Sequence, residues 1–243
     1  MTKSALFMAL VLSCSAPLLA QTAPMLEFSV GGNTASLQLT AENGDWSLAA
    51  PETVNGSEIT NATIQFDSDP SITYGYGVYN GTGSTQTYSI VFPQVSGNSS
   101  PLAVNLPPGL YSVKASLAVT VTDDGNLDGA TFSQVNSSTP YQQDLLNSTD
   151  VINIGTGTLN IPSGTVDSET FPFTSVSNPA YSLGSTATTM SILTSFDLSA
   201  GVSASFSGSF TITAVPEPSS FGFALIAAGA FGLLVVCARR SRA

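Results

Sequence analysis

The segment with the clearest chemistry is Asp124-Gly125-Asn126-Leu127-Asp128-Gly129. Polar side chains alternate there, so Asp124, Asn126 and Asp128 can converge on one hard cation while the glycine permits a sharp turn, as in a calcium loop. Val135 stands where an EF-hand loop needs its bidentate Glu, so Asp123 or a distant acid would have to complete the shell. The same residue types also build a plain polar turn after a strand. Both readings, a structural Ca2+ and a turn, stand at this level, and no other cofactor is expected.

Other reactive chemistry is sparse. The chain has no histidine, which excludes a Ser-His-Asp triad, a histidine base and a histidine-ligated metal. Its two cysteines, Cys14 and Cys237, fall near the termini, so the body holds neither a disulfide framework nor a thiol nucleophile. Lys114 alternates onto the polar face of a strand and reads as a solvated lysine, not as the base of a Ser–Lys pair. Asp67 with Asp69, and Asp167 with Glu169, would share a face if extended, and a glycoside hydrolase needs two carboxylates. In acidic loops such pairs normally face water. Trp46, Tyr74, Tyr76, Tyr79 and Tyr88 offer rings for a sugar-binding face, with core packing as the competing account. Glycosylation sequons at Asn55, Asn61, Asn80, Asn98, Asn136 and Asn147 are what a chain rich in Asn, Ser and Thr produces. No catalytic residue is assigned, and the protein is not expected to be an enzyme.

The elements that would hold these residues read as strands. In 110–121, Tyr111, Val113, Ala115, Leu117, Val119 and Val121 fall on one face, and Ser112, Lys114, Ser116 and Thr120 on the other. That period of two predicts a strand with one side in a core. Stretches 59–66 and 72–79 behave alike, with Thr, Tyr and Val suited to the pleat. An Asn-Gly-Thr-Gly turn at 80–83 predicts that 72–79 and 85–92 form a hairpin. A second pair, 191–198 and 202–212, is expected around Ser199-Ala200-Gly201. Gln142 to Leu146 reads as one helical turn at most. The middle, 135–185, is rich in Ser, Thr, Gly, Asn and Pro and reads as short strands on long loops, with partial disorder as the rival. A body of this length can bury a real core, so one domain is expected.

Charge narrows the partners. Between residues 21 and 215 there are fifteen acids and one base, Lys114, which gives that body a charge of −14. Such a surface repels phosphate backbones, so no nucleic acid partner is expected.

Both ends carry targeting chemistry. Lys3, an apolar stretch from Ala5 to Leu12 and small residues up to Ala20 predict a secretory signal peptide over 1–20. At the other end Pro216, Glu217 and Pro218 are followed by an uncharged run, 221–238, and then by Arg239, Arg240 and Arg242. The prolines keep the first part extended. At ~1.5 Å per residue the run of roughly 18 residues can just span a hydrocarbon core about 30 Å thick. The arginines stop it and, by the positive-inside rule, stay in the cytoplasm.

This order of Pro-Glu-Pro, apolar helix and arginine cluster resembles the PEP-CTERM sorting signal of Gram-negative bacteria. The resemblance implies recognition and processing near Pro216, Glu217 and Pro218 by an exosortase-type enzyme, with delivery to the cell surface or extracellular matrix. Segments 76–82 and 198–210 also resemble strand pairs in β-sandwich ectodomains that precede such tails. The whole therefore reads as an all-β protein: a signal helix at 1–20, a single β-sandwich ectodomain, Ig-like or jelly-roll-like, at 21–214, and a sorting signal at 215–243 with its transmembrane helix. The expected precursor is a single-pass inner-membrane protein. Its expected role is structural, linked to exopolysaccharide and biofilm. A carbohydrate-binding surface module is the alternative, and a glycoside hydrolase a distant third.

Overall fold

The computed structural model describes residues 23–42, 45–67, 70–94, 103–123, 129–163 and 168–215. Among these, strands are formed throughout and no helix occurs. The first eight strands are β1 (Met25–Val30), β2 (Asn33–Gln38), β3 (Thr40–Glu42), β4 (Asp45–Ser47), β5 (Glu52–Val54), β6 (Ser57–Asp67), β7 (Ser71–Tyr79) and β8 (Gln86–Gln94). Then come β9 (Ala103–Leu106), β10 (Gly109–Asp123), β11 (Ala130–Ser133), β12 (Gln142–Leu146), β13 (Thr149–Ile154) and β14 (Thr158–Ile161). The longest run closes the body: β15 (Ser168–Leu183), β16 (Ala187–Leu198) and β17 (Val202–Ala214).

They form two antiparallel sheets. One has the order β13-β12-β16-β8-β1-β2, with β9 and β11 also on β16 and β14 on β11. The other has the order β15-β10-β17-β7-β6-β4-β3, with β5 on β6. Alternation drives this layout. All six residues assigned to the inner face of β10 from the sequence, Tyr111 to Val121, are buried. Its neighbour β17 buries Val202, Ala204, Phe206, Phe210 and Ile212 in the same rhythm. Aromatic rings from the two sheets meet in one core: Tyr76 of β7 lies 5.3 Å from Phe92 of β8, and Phe206 of β17 lies 4.7 Å from Phe196 of β16.

Both expected hairpins are corrected. β7 belongs to one sheet and β8 to the other, and the same holds for β16 and β17. Each connection is an arch that carries the chain across the core, so neither 76–82 nor 198–210 is a hairpin in itself; the two segments instead pair with each other, Tyr76 opposite Phe206 and Tyr79 opposite Ser203. Each pair of strands has its apolar side turned to one shared interior, which zippering into a flat ribbon would leave half uncovered. Asn80 ties the two arches together. Its amide nitrogen donates to the carbonyls of Ser84 (2.9 Å), Leu198 (2.8 Å) and Ser199 (3.0 Å), and its side-chain oxygen accepts from the Thr82 hydroxyl (2.7 Å). The backbone N–H of Gly201 donates to the Asn80 carbonyl at 2.8 Å. Asn80 is fully buried, so this sequon is structural and its nitrogen is spent.

The middle of the chain is also corrected. Gln142–Leu146 is strand β12, not a helical turn; the polar stretch 135–185 builds the expected short strands β12, β13 and β14, and then the 16-residue β15. β15 is the outermost strand of its sheet and contains Pro172 and Pro179, which demote it in a sequence reading. The structure places both prolines in bulges. Register against β10 shifts between the pairs Tyr111↔Tyr181 and Val113↔Asn178, and again between Leu117↔Thr174 and Val119↔Phe171. A residue without an N–H loses nothing where the ladder is already interrupted, and bulges with proline discourage pairing of an edge with another chain.

Candidate functional site

Asp124, Asn126 and Asp128 lie outside the described residues. Their flanks are described. β10 delivers Asp123, the residue before the loop, into the interior at 4% exposure, and neither of its carboxylate oxygens has a hydrogen-bond partner among the described residues. A carboxylate left so is unfavourable by several kcal/mol unless a cation or donor meets it, on the order of a lost buried ion-pair partner. After the loop, Gly129 has φ +87°, and a Cβ there would sit 2.8 Å from the Ile161 carbonyl and 3.0 Å from the Ser163 nitrogen. Only glycine allows the chain to return this close to β14.

Polar groups that the sequence reading missed sit in the core between the sheets. Tyr74 and Tyr76, two apart on β7, both point inward, their rings 5.8 Å apart. The Tyr74 hydroxyl donates to Gln142 Oε1 at 2.7 Å. Gln142 Nε2 in turn donates to both oxygens of Asp144, at 2.9 and 3.0 Å. A second bridge joins the Tyr76 and Thr194 hydroxyls at 2.7 Å. These bonds link β7 of one sheet to β12 and β16 of the other. Burial pushes the Asp144 carboxyl well above the usual carboxylate range; the Gln142 hydrogen bond opposes this and the Asp150 charge adds to it. Burial likewise raises the phenols of Tyr74 and Tyr76, and it takes those of Tyr88 and Tyr141 up to about 12. Gln142, Asp144 and Thr194 have no exposure, so this network has no route to a solute. It registers one sheet on the other and has no access for chemistry. Only its alternation gave a signal, since Gln142, Asp144 and Leu146 occupy the inward positions of a strand.

The aromatic reading of a sugar face fails for three rings. Tyr74, Tyr76 and Tyr88 are in the core at 3%, 2% and 0% exposure, while Trp46 and Tyr79 are half-buried. Of the proposed carboxylate pairs, Asp67 and Glu169 are exposed and stand at opposite ends of their sheet: Asp67 pairs with Ser71 at the start of β7, Glu169 with Val121 near the end of β10. Asp69 and Asp167 lie outside the described residues. Lys114 is exposed on the outer face, as its alternation predicts, in a shallow depression of about 470 Å³ with Ser116, Ser177, Ser209 and Thr211. Asn147, another sequon, is also structural: its side-chain oxygen accepts from the Thr188 and Thr189 backbone N–H groups at 2.8 and 3.1 Å.

The expected signal peptide at 1–20, the Pro216-Glu217-Pro218 motif, the apolar run 221–238 and Arg239, Arg240 and Arg242 all fall outside the described residues. What is described is the point where the body releases the chain towards them. β17 ends at Ala214, opposite Tyr111, and the Val215 N–H donates to the Leu110 carbonyl at 3.0 Å. Residues 214–241 match the family model of the PEP-CTERM protein-sorting motif. The chain carries a PEP-CTERM sorting motif. A comparison with curated proteins gave no match. The PEP-CTERM match contains Pro216, Glu217, Pro218, the apolar run and two of the three arginines, with Arg242 just beyond it. The motif implies processing by exosortase, export and targeting to the cell surface. Its first residue, Ala214, is also the last residue of β17, so the PEP-CTERM segment follows the folded body with no spacer.

Proposed function

We propose that this protein is a non-catalytic structural component of the bacterial surface or extracellular matrix, made as a single-pass inner-membrane precursor and associated with exopolysaccharide in biofilm. The observation that carries this reading is a PEP-CTERM motif joined directly to a body whose polar core groups are sealed from solvent. The lack of any histidine supports a role without acid–base chemistry. Residues 1–20 serve as the signal peptide, 21–214 as one ectodomain and 215–243 as the sorting signal. Within the body, β7, β8, β10, β12, β15, β16 and β17 alternate between sheets along the chain, which favours a jelly-roll-like sandwich over an Ig-like one, where hairpins stay within a sheet. The test changes Pro216, Glu217 and Pro218 together to alanine in a host with the sorting enzyme. Intact-mass analysis is expected to find the precursor uncut. Unchanged processing refutes the assignment.

A second role, structural Ca2+ binding, is favoured by Asp123, whose buried carboxylate has no partner among the described residues, beside the Asp124–Asn126–Asp128 segment. Oxygen ligands of this kind suit calcium, which here would neutralise a buried carboxylate and stiffen the loop. Calcium at about 100 times its dissociation constant adds roughly 2.7 kcal/mol to a protein that binds it only when folded. For a domain of this size that is a rise in Tm of about 5–10 °C. The rise should vanish in Asp123→Asn. A wild-type melt indifferent to millimolar calcium removes the site.

A further inference from the structure

The exit of the chain from the body has a distinctive neighbour. Val215 is held by the carbonyl of Leu110, and Leu110, at 42% exposure, is the large apolar side chain left exposed among the described residues. It ends a turn whose other members, Pro107, Pro108 and Gly109, are exposed as well. The turn is rigid in two ways: the prolines fix φ, and the Tyr111 hydroxyl donates to the Pro107 carbonyl at 2.7 Å. A stiff apolar tip therefore stands beside the point of departure.

The other terminus leaves at the same end. β16 stops at Leu198 and β17 starts at Val202, so the start of β16 and the end of β17 share one end of the body. β8 runs antiparallel to β16, which brings its last residue, Gln94, to that end, and Gln94 pairs with Met25, the first residue of β1. Both targeting segments thus adjoin the Leu110 end. Five residues, 216–220, separate Val215 from the apolar run. At ~3.3–3.6 Å per residue they reach about 20 Å at most. The headgroup layer takes up roughly 5–8 Å of that on each side of the hydrocarbon.

We propose that in the precursor this end of the body rests on the bilayer, with Leu110 inserted at the boundary between headgroups and acyl chains. The partner is a lipid surface, and the contact is apolar: a body of charge −14 gains nothing from anionic lipid. High salt, which only screens the repulsion between this body and anionic lipid, therefore does not release the docked end. It holds the uncut motif in one plane and one orientation, the far arches around Asn80 pointing away from the membrane. The inference rests on the inner-membrane precursor reading above and adds an orientation to it.

The test uses the full chain with Cys14→Ala and Cys237→Ala, which leaves no other thiol. A single cysteine is placed at Leu110→Cys or, as the far-end control, at Thr85→Cys, and carries an environment-sensitive fluorophore. The protein is reconstituted into phosphatidylethanolamine–phosphatidylglycerol vesicles and floated on a gradient. The Leu110 probe is expected to shift to the blue and to be quenched several-fold more by spin-labelled lipid than the Thr85 probe, at low and high salt alike. Equal, water-like behaviour of both probes in floated protein overturns the docking and leaves the anchor intact. Protein that does not float overturns the membrane precursor itself. Protection of Leu110 only when the processing enzyme is co-reconstituted overturns the lipid contact in favour of a protein one.

Discussion

Gly208→Ala is expected to destabilise the protein by about 3–5 kcal/mol, combining overpacking with broken buried hydrogen bonds. Gly208 faces the core in β17 directly opposite Tyr74 of β7. A Cβ added there would meet the Tyr74 hydroxyl at 2.5 Å and two ring carbons at 2.6 Å. The ring cannot yield cheaply. Its hydroxyl is bonded to Gln142, and its face lies 5.2 Å from Phe92. Displacing it leaves the buried Gln142 with one partner fewer. The midpoint of thermal unfolding should fall by roughly 10 °C, at about 2–4 °C per kcal/mol for a domain of this size. Ser207→Ala, one residue away on the exposed face, should change the melt little. Combining Gly208→Ala with Tyr74→Leu should cost less than the two changes summed, because the smaller side chain relieves the clash. A Gly208→Ala melt indistinguishable from wild type would show that the ring does not need the space.

Asp144→Asn is expected to stabilise the protein at pH 7 and to make no difference near pH 3. Asp144 has no exposure, and its folded carboxyl titrates well above the ordinary range because burial penalises the charge. In the unfolded chain it titrates normally, near about 4. The folded state thus holds a proton that the unfolded state releases. Its contribution to stability is complete below the unfolded value and is lost as pH rises through the folded one, at up to ~1.4 kcal/mol per pH unit. Asparagine has the shape of the protonated acid and cannot ionise. It keeps an oxygen to accept from Gln142, and Tyr74 and Asp150, the ionisable groups that act on Asp144, are unchanged. Urea melts of both proteins from pH 3 to 8 provide the measurement. The difference between them should open as pH rises from the ordinary carboxylate range towards neutrality. A constant difference across that range, or a variant weaker than wild type at pH 7, contradicts a neutral buried acid.

The sequence by itself determined the strand character and the destination. Alternation in β10 named its six inward residues correctly, because a half-buried strand must segregate its faces at every second position. The sorting motif was legible because its parts act in linear order: two prolines about a glutamate, an apolar run, then arginines. Tertiary structure decided what depends on which surfaces meet. The arches at Asn80 and Ser199 look like hairpins locally, and only the shared core sends their strands to different sheets. Tyr74 and Gln142 are 68 positions apart, so their bond and the raised proton affinity of Asp144 arise only once the sheets close on each other. Burial is a property of the assembled interior, and a polar residue at an inward position carries no local mark of the partner that will satisfy it.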